Sequence, residues 1–199
     1  MENHAPTPPA IQPLRPSLLA LQERFGTSQS LVGIEVGVAD GRNAASMLAH
    51  LPNLSRLYLV DPYQEYPQYK DYKQDELDCF LADAQERIRS LGSVLSEKTV
   101  WVRKQFGELA MEELRHGDFG NVDFVYIDGN HQQWYVEADL KQAFALIRGN
   151  GMVAGDDWPL PGVQNALRKF QRSHGCTVEA VAHDVGQYDW WIWRDGSGW

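Results

Sequence analysis

The apolar positions of this chain follow two alternating periods, and these periods predict the order of its helices and strands. Short runs rich in β-branched and large apolar residues are separated by longer runs with helical spacing. We predict strands at 31–36, 57–60, 99–102, 122–127 and 151–154, and helices at 17–26, 42–50, 75–91, 109–116, 132–147 and 162–173. Strands that alternate with helices indicate a parallel sheet with helices on both faces.

The C-terminal part of the chain has a different pattern. Two β-like runs, 177–182 and 188–193, flank a short polar turn. A tight turn joins antiparallel strands, so this pair is predicted to be a hairpin. The predicted fold class is therefore α/β and Rossmann-like, with a seven-stranded, mostly parallel sheet, a C-terminal antiparallel hairpin and helices on both faces.

The N-terminal end is rich in proline, with five among residues 1–16. Proline resists helix formation, so we predict that residues 1–16 form a flexible arm. The helix that follows has Ser17 as its predicted cap and closes at Gly26. A chain of 199 residues can bury one core without disulfides or metals, and residues 17–199 are predicted to form a single domain.

Composition narrows the classes of partner. The net charge is −9, and the 18 Lys and Arg residues are scattered, so we expect no nucleic-acid partner. No apolar run approaches the length of a membrane span, and the N-terminus lacks a basic start. The two cysteines, Cys79 and Cys176, lie far apart and fit a reducing compartment. We expect a cytoplasmic protein that acts on a small molecule and does not contact a membrane. The sequence is compatible with a homodimer.

A glycine turn follows the first predicted strand. Gly33, Gly37 and Gly41 lie four residues apart, and the second strand ends in Asp61 about 20 residues later. A strand, a glycine turn and a second strand ending in a carboxylate are typical of folds that bind an adenosine cofactor. The spacing differs from the G-x-G-x-x-G pattern that cradles a diphosphate.

The carboxylates near this turn indicate which adenosine cofactor binds. Glu35 lies on the strand and Asp40 lies in the turn, where each would repel a diphosphate by about 1 kcal/mol or more. S-adenosylmethionine (SAM) carries a sulfonium and an ammonium but no phosphate, so it suits an acidic turn. We predict SAM, with Asp61 accepting hydrogen bonds from both ribose hydroxyls. The alternative is an ordinary strand, turn and helix with a stray acid.

Further carboxylates follow the fourth and fifth predicted strands. Asp128 comes directly after one strand, and Asp156 and Asp157 come after the next. Neighbouring parallel strands lie about 5 Å apart, so these side chains are expected to meet at one edge of the sheet. Oxygen ligands without thiolates favour Mg²⁺ over zinc, and we predict a Mg²⁺ site. The alternative is that Asp128, Asn130 and Asp157 only cap helices or turns.

Two short motifs connect the chain to known families. The sequence Ile-Asp-Gly-x-His at 127–131 and the Pro-Gly-Val stretch at 161–163 resemble the cephalosporin-pathway methyltransferase-like proteins. Across 30–194 the chain resembles class I SAM-dependent methyltransferases, among them the small metal-dependent O-methyltransferases of the cephalosporin, macrocin and catechol types. Five parallel strands followed by a hairpin are the sheet arrangement of that class.

The resemblance implies roles for individual residues. Asp128, Asp156 and Asp157 would hold the divalent ion. The methionine part of SAM would lie against the glycine turn, the ribose at Asp61, and the adenine edge at the loop after the third strand. Phe106 stands there where relatives commonly have Ser or Asp, which implies stacking or backbone contacts to adenine. The implied cofactor residues are Glu35, Gly37, Asp40, Gly41, Asp61, Phe106, Gly107 and Asp128.

His131 is the candidate general base. It follows Asp128 by three residues at the strand edge, and the usual pKa of histidine lies near neutral pH. The alternative is that it only hydrogen-bonds to Asp128 or a loop carbonyl. Catechol-type relatives use a lysine where this chain has Gln132 and Gln133, and macrocin-type relatives use a second Asp where it has Asn130.

Aromatic residues surround the predicted site. Tyrosines recur every three residues at positions 63, 66, 69 and 72, which fits either a wall over the acceptor or a flap packed on the core. Trp134 and Trp158 adjoin the site and could stack on a substrate. Trp190, Trp191 and Trp193 are predicted to pack in and on the hairpin.

These observations predict a SAM-dependent, Mg²⁺-assisted O-methyltransferase that acts on a small hydroxylated acceptor such as a sugar, a phenol or a secondary-metabolite intermediate. One alternative is a non-catalytic SAM-binding partner subunit, because the bases of the relatives are missing and cephalosporin-type relatives work beside another protein. An NAD-dependent epimerase or reductase is disfavoured, because the sequence has neither G-x-G-x-x-G at the turn nor a Tyr-x-x-x-Lys pair in a predicted active-site helix.

Overall fold

The order of helices and strands follows the alternation read from the sequence. A computed structural model describes residues 11–69, 71–109, 122–184 and 187–194. The strands are β1 (Leu31–Val36), β2 (Leu54–Val60), β3 (Thr99–Val102), β4 (Val122–Ile127), β5 (Ile147–Gly155), β6 (Glu179–Asp184) and β7 (Gln187–Trp193). The helices are α1 (Pro16–Phe25), α2 (Arg42–His50), α3 (Gln74–Ser90), α4 (Ser93–Ser96), α5 (Gln133–Leu146) and α6 (Pro161–His174), with a 3-10 turn at Phe106–Glu108.

The strands form one mixed sheet in the order β3-β2-β1-β4-β5-β7-β6. Strands β1 to β5 pair in parallel, and β7 is antiparallel to both of its neighbours, β5 and β6. The last residues of four strands lie side by side, since Val36 pairs with Val60 and Ile127, and Ile127 pairs with Gly155. The predicted fold class is confirmed, and the loops after these strands share one edge.

The sheet separates two apolar cores. Along β4, Val125 and Ile127 face one core while Phe124 and Tyr126 face the other, as the alternation of side chains in a strand requires. The first core includes buried residues of α5 and α6, and the second includes buried residues of α1, α2 and α3. Helices on both faces therefore hold the carboxyl edge of the sheet in place.

Some element boundaries differ from those predicted. Helix α1 begins at Pro16 with Arg15 as its N-cap, so the predicted serine cap is not formed. Instead the Ser17 amide donates to Asp189 Oδ2 of β7 at 2.6 Å. Strands β2 and β5 both begin earlier than predicted, because apolar content alone marked only their buried C-terminal halves.

Two predicted segments, the N-terminal arm and the fourth helix, are only partly covered by the described residues. Residues 1–10 of the predicted arm and residues 110–116 of the predicted fourth helix lie outside the described residues. Leu14, within the predicted arm, is buried in the core that faces α1. Among the described helices, the longest of which is α3 with 17 residues, none is long and apolar enough to cross a membrane.

Candidate active site

A cavity of about 1550 Å³ opens at the carboxyl edge of the sheet. Its walls come from the glycine turn after β1, the segment after β2, the 3-10 turn after β3, the loop after β4, the residues after β5, and residues 12–16 at the start of α1 and just before it. Nearly all predicted site residues line it: Glu35, Gly37, Asp40, Asp61, Phe106, Gly107, Asp128, His131, Asp156 and Asp157. Gly41 is not part of the lining and packs against Ala84 of α3.

Gly37 allows the ends of three strands to meet. Its φ is 80°, and a Cβ at this position would lie 2.0 Å from the carbonyl oxygen of Asp128. The Gly37 amide donates to Val60 O at 2.9 Å, and the Asp128 amide donates to Val36 O at 2.7 Å. Only glycine fits this close approach, which fixes the turn against the loop that carries Asp128.

Asp61 is anchored to the same turn through backbone amides. Its Oδ2 accepts from Val38 at 2.9 Å and Ala39 at 3.2 Å, and its Oδ1 accepts from Tyr63 at 2.8 Å. Burial raises the pKa of Asp61, and these three hydrogen bonds oppose that rise. Ala39 and Tyr63 both have positive φ, at 46° and 47°, so the backbone around Asp61 is held in a strained conformation.

Glu35 is buried within the cavity wall, with 1% of its surface exposed. Its Oε1 accepts a hydrogen bond from Asn43 Nδ2 at 3.0 Å, and its Oε2 has no hydrogen-bond partner among the described residues. Burial raises the pKa of Glu35 well above its usual value. A ligand group that is cationic or donates a hydrogen bond would offset the energetic cost of burying the unpartnered Oε2.

Asp40 does not present a free charge to the cavity. Arg42 Nε lies 2.8 Å from Asp40 Oδ2, and Arg87 Nη2 lies 3.3 Å from it. Arg87 also donates from Nε to the Asp40 carbonyl at 2.9 Å. The acidic character of the turn is therefore partly balanced by two arginines.

The loops after β4 and β5 bring together Asp128, His131 and Asp157. One ligand atom of each lies within 4.8 Å of the others. His131 Nε2 is 2.8 Å from Asp157 Oδ2 and 3.6 Å from Asp128 Oδ1. Burial alone lowers the pKa of His131, but the two carboxylates outweigh it and raise the pKa to about 10. At neutral pH this imidazole is therefore protonated.

Asp156 faces a different partner in the same cavity. Arg15 Nη1 donates to Asp156 Oδ2 at 2.8 Å, and the Asp157 amide donates to Asp156 Oδ1 at 2.8 Å. The indole of Trp190 donates to the Asp156 carbonyl at 2.8 Å. The three predicted metal ligands thus share one cavity, and the cluster that could hold a metal has His131 in the place of Asp156. The two carboxylates are ligands that suit Mg²⁺ or Mn²⁺, whereas an imidazole is a ligand more typical of zinc and other transition metals.

Asn130, after β4, and the tyrosine segment, residues 63–72 after β2, connect the two sides of the cavity. Asn130 Oδ1 accepts from the Gln132 amide at 2.9 Å, and its Nδ2 donates to the Tyr66 hydroxyl at 3.1 Å. The rings of Tyr66 and Tyr69 stack with centroids 5.0 Å apart and line the cavity, and Tyr63 borders the same cavity while most of its side chain is buried in the core. The segment after β2 therefore packs on the core and also forms a wall.

The tryptophans of the predicted site and hairpin differ in whether they line the cavity or pack in the core. Trp134 lines the cavity with 52% of its surface exposed, and it stacks on Tyr135. Trp158 packs against the core that faces α5 and α6 and does not line the cavity. Trp190 and Trp191, on hairpin strand β7, are buried in the two opposite cores.

Two cavity residues, Arg15 and Asp139, were missed by the sequence analysis. The Asp139 carboxyl on α5 accepts a hydrogen bond from the Gly107 amide, and burial raises its pKa to about 7. Phe106 beside it is almost fully buried in the core. A polar residue at a helical position and an arginine before a helix are common in any sequence, so no sequence signal distinguishes either residue.

Solved structures of methyltransferases share this fold. An rRNA methylase from Streptococcus thermophilus aligns with a TM-score of 0.62 at 10% identity, over 91% of this chain and 97% of its own. A SAM-dependent O-methyltransferase from Thermotoga maritima aligns with a TM-score of 0.62 at 14% identity, over 94% and 68% respectively. The O-methyltransferase TomG from Streptomyces achromogenes, involved in tomaymycin synthesis and solved with SAM, aligns with a TM-score of 0.60 at 19% identity, over 93% and 82%. Identities this low show a common fold alone.

Sequence comparison assigns the family. No curated protein sequence is significantly similar to the chain. The family model described as a methyltransferase domain, however, matches residues 34–158, more than half of the chain. The match begins within β1 and ends just after Asp157, so it contains the glycine turn and the strand-end acids. The chain therefore belongs to the methyltransferase domain family and is a SAM-dependent methyltransferase with the class I fold.

Proposed function

We propose that this enzyme methylates a hydroxyl group of a small acceptor, with SAM as the methyl donor and a divalent cation, preferably Mg²⁺, at the acceptor side. The observation that carries the proposal is the cluster of Asp128, His131 and Asp157, whose ligand atoms lie within 4.8 Å of one another in the cavity that also contains the glycine turn. Donor-binding and acceptor-activating groups thus border one space.

The donor side of the cavity is formed by Glu35, Gly37 and Asp61. Gly37 brings the turn close without a side chain, so a ligand can lie against its backbone. Asp61 uses three of about four acceptor positions on backbone amides, which leaves capacity for about one hydrogen bond from a ribose hydroxyl. Glu35 has an unpartnered oxygen among the described residues, and the positive charge of the methionine part of SAM would compensate it.

The acceptor side is formed by the loops after β4 and β5. Asp128 and Asp157 would hold the divalent cation, with His131 as a third ligand once its Nε2 has lost its proton, and the cation would supply Lewis acidity that lowers the pKa of an acceptor hydroxyl. His131 shares its proton with Asp157 at 2.8 Å and so keeps its imidazole directed into the cluster. An imidazole bound to the cation cannot serve as the base, whereas an unbound His131 could accept a proton once both carboxylates engage the cation, because their charge is what raises its pKa. Tyr66, Tyr69 and Trp134 line the cavity and would reduce the contact of a bound acceptor with water.

The acceptor is proposed to be a sugar, a phenol or a secondary-metabolite intermediate. TomG, a structural neighbour, acts in tomaymycin synthesis. The net charge of −9 opposes binding of a nucleic-acid backbone, so a nucleic acid is not the proposed acceptor. Both cysteines are free thiols, which supports a reducing compartment and a cytoplasmic location. The protein is also proposed to form a homodimer, and light scattering would test this by measuring the molar mass in solution.

Turnover with and without metal tests the proposal. Purified enzyme is incubated with SAM and a panel of catechols and sugars, in Mg²⁺ or in EDTA, and S-adenosylhomocysteine (SAH) is quantified. We expect Asp128→Asn to abolish the Mg²⁺-dependent turnover while SAH affinity, measured by calorimetry, stays nearly unchanged. Asp83→Asn, an exposed carboxylate on α3, is the matched control. Equal turnover of Asp128→Asn and wild type would contradict the metal assignment, and SAH binding without any turnover would favour a non-catalytic subunit.

A further inference from the structure

The tyrosine segment, residues 63–72, crosses the cavity from one side to the other. It leaves the sheet after β2 and reaches α3 at Gln74. Midway, the Tyr66 hydroxyl accepts a hydrogen bond at 3.1 Å from Nδ2 of Asn130, which belongs to the loop after β4. Strand β1 lies between β2 and β4, so this contact bridges the glycine turn. Because Tyr66 and Asn130 both line the cavity, a ligand inside it lies beneath the segment.

The two ends of the tyrosine segment are anchored more firmly than its middle. Tyr63 is buried, its amide donates to Asp61 Oδ1 at 2.8 Å, and its carbonyl accepts from Gln74 Nε2 at 3.1 Å. By contrast, none of the described residues from 64 to 72 is buried. Segments with few buried contacts open locally at a low free-energy cost. The middle of the segment can therefore move while both ends stay in place.

Two side chains of the loop after β4 hold the middle of the segment. Besides the bond from Asn130 to Tyr66, Gln132 Nε2 donates to the Gln68 carbonyl at 2.7 Å. The Asn130 amide has a defined orientation, because its Oδ1 accepts from the Gln132 backbone amide at 2.9 Å and Nδ2 is left to face Tyr66. The Tyr66 ring also meets Tyr135 edge-on, with centroids 5.6 Å apart. These few contacts attach the segment to the far side of the cavity.

The loop that holds the segment is itself rigidly supported. The Asp128 amide donates to Val36 O at 2.7 Å, which ties the start of the loop to β1. A Cβ on Gly162 would lie 2.1 Å from the His131 carbonyl oxygen, so the start of α6 packs directly on the loop. Motion is therefore expected in the tyrosine segment and not in its support.

We propose that the tyrosine segment is a lid over the methyl donor, and that Asn130 and Gln132 are positioning residues that hold it closed. SAM enters and SAH leaves when the two hydrogen bonds break and the middle of the segment moves away from the loop. The inference rests on the proposed function only in placing SAM in this cavity, and it is independent of the metal and of the acceptor. Both residues act through the lid and not on the reacting atoms.

The kinetics of SAH binding test this assignment, and surface plasmon resonance with immobilised enzyme gives both rate constants. The two bonds join protein groups to each other, so the account has them formed before and after SAH binds. Asn130→Ala should therefore raise the association and dissociation rate constants alike, by about 2- to 10-fold, as expected for the loss of one hydrogen bond from the closed state. The affinity for SAH should stay nearly unchanged, because the two rates change together.

Tyr66→Phe removes the same hydrogen bond from the other side and keeps the aromatic ring. It should give the same rates as Asn130→Ala, and the double variant should be no faster than either single variant. Gln133→Ala is the matched control, because Gln133 neighbours Gln132 but donates to Glu137 at 2.7 Å and does not line the cavity. Its rates should equal those of wild type. Hydrogen–deuterium exchange of residues 64–72 should be faster in the first two variants and unchanged in the control.

The unfavourable outcomes point to different errors. If wild type does not bind SAH, the placement of SAM in the cavity is wrong and the inference falls with it. If the variants raise only the dissociation rate and so weaken affinity, Asn130 and Tyr66 contact the ligand directly. If rates and exchange match wild type while thermal unfolding shows folded variants, the segment is a fixed wall. Each of these last two results overturns the lid and leaves the proposed function intact.

Discussion

Replacing Asp139 by asparagine is expected to stabilise the ligand-free enzyme above neutral pH. Burial raises the pKa of Asp139 from 3.8 to about 7, so the folded protein holds a proton that the unfolded chain releases at lower pH. For a carboxyl whose pKa is raised by folding, stability is fully present below the unfolded pKa and is lost as pH rises toward the folded pKa. Asparagine has nearly the same shape and no ionisation to lose.

The magnitude follows from the two pKa values. Each pH unit between the unfolded and the folded pKa of Asp139 changes the free energy of unfolding by about 1.36 kcal/mol. Two such units lie between pH 5 and the folded pKa of about 7. The free energy of unfolding of Asp139→Asn relative to wild type should therefore increase by about 2–3 kcal/mol between pH 5 and pH 8. The other acids of the cavity whose pKa is raised, such as Glu35 and Asp128, are present in both proteins, so their titration largely cancels in the comparison.

Urea unfolding followed by tryptophan fluorescence is a suitable assay. Wild type, Asp139→Asn and Glu137→Gln are unfolded at pH 5 and at pH 8 in EDTA without ligand. The Glu137→Gln control should show no comparable gain with pH, because Glu137 lies on the same helix and its pKa is lowered by Lys169 rather than raised. An Asp139→Asn difference that is the same at both pH values would refute the reasoning, since it would mean that the carboxyl does not titrate between them.

Two further substitutions probe the cavity walls. Gly37→Ala places a Cβ 2.0 Å from the Asp128 carbonyl oxygen at a φ of 80°. We expect the variant to lose at least about 2 kcal/mol of stability in thermal unfolding and to lose SAH binding in calorimetry. A folded variant with normal SAH affinity would contradict this expectation. Arg15→Gln removes the charge at 2.8 Å from Asp156, so we expect Mn²⁺ to bind more tightly in a titration monitored by electron paramagnetic resonance; an unchanged or weaker affinity would show that Asp156 is not available to a cation.

The fold, and the presence of the glycine turn and Asp61 at one edge of the sheet, could be predicted because their signals are local. The alternation of apolar runs determines which residues face each side of the sheet, and a glycine turn after β1 with Asp61 after β2 is readable from spacing alone. The parallel register then places Asp128 and Asp157 at one edge, as predicted. Each of these inferences depends on residues within one element or on the regular geometry of a sheet.

The charge partners inside the cavity could not be predicted, because they join distant parts of the chain. Arg15 and Asp156 are 141 residues apart, and Arg87 reaches Asp40 across 47 residues. The same limit applies to Asp139, whose position on α5 looks like any polar residue of an exposed helical face until the Gly107 loop covers it. Pairing of this kind depends on side-chain directions that neither periodicity nor motif spacing contains.

Transfer of a labelled methyl group tests the central claim most directly. Enzyme, Mg²⁺ and SAM with an isotopically labelled methyl group are incubated with catechol and sugar acceptors, and the products are analysed by mass spectrometry. The account predicts label on an acceptor oxygen, stoichiometric SAH, and loss of both products in EDTA. Tight SAH binding with no labelled acceptor under any metal condition would contradict it.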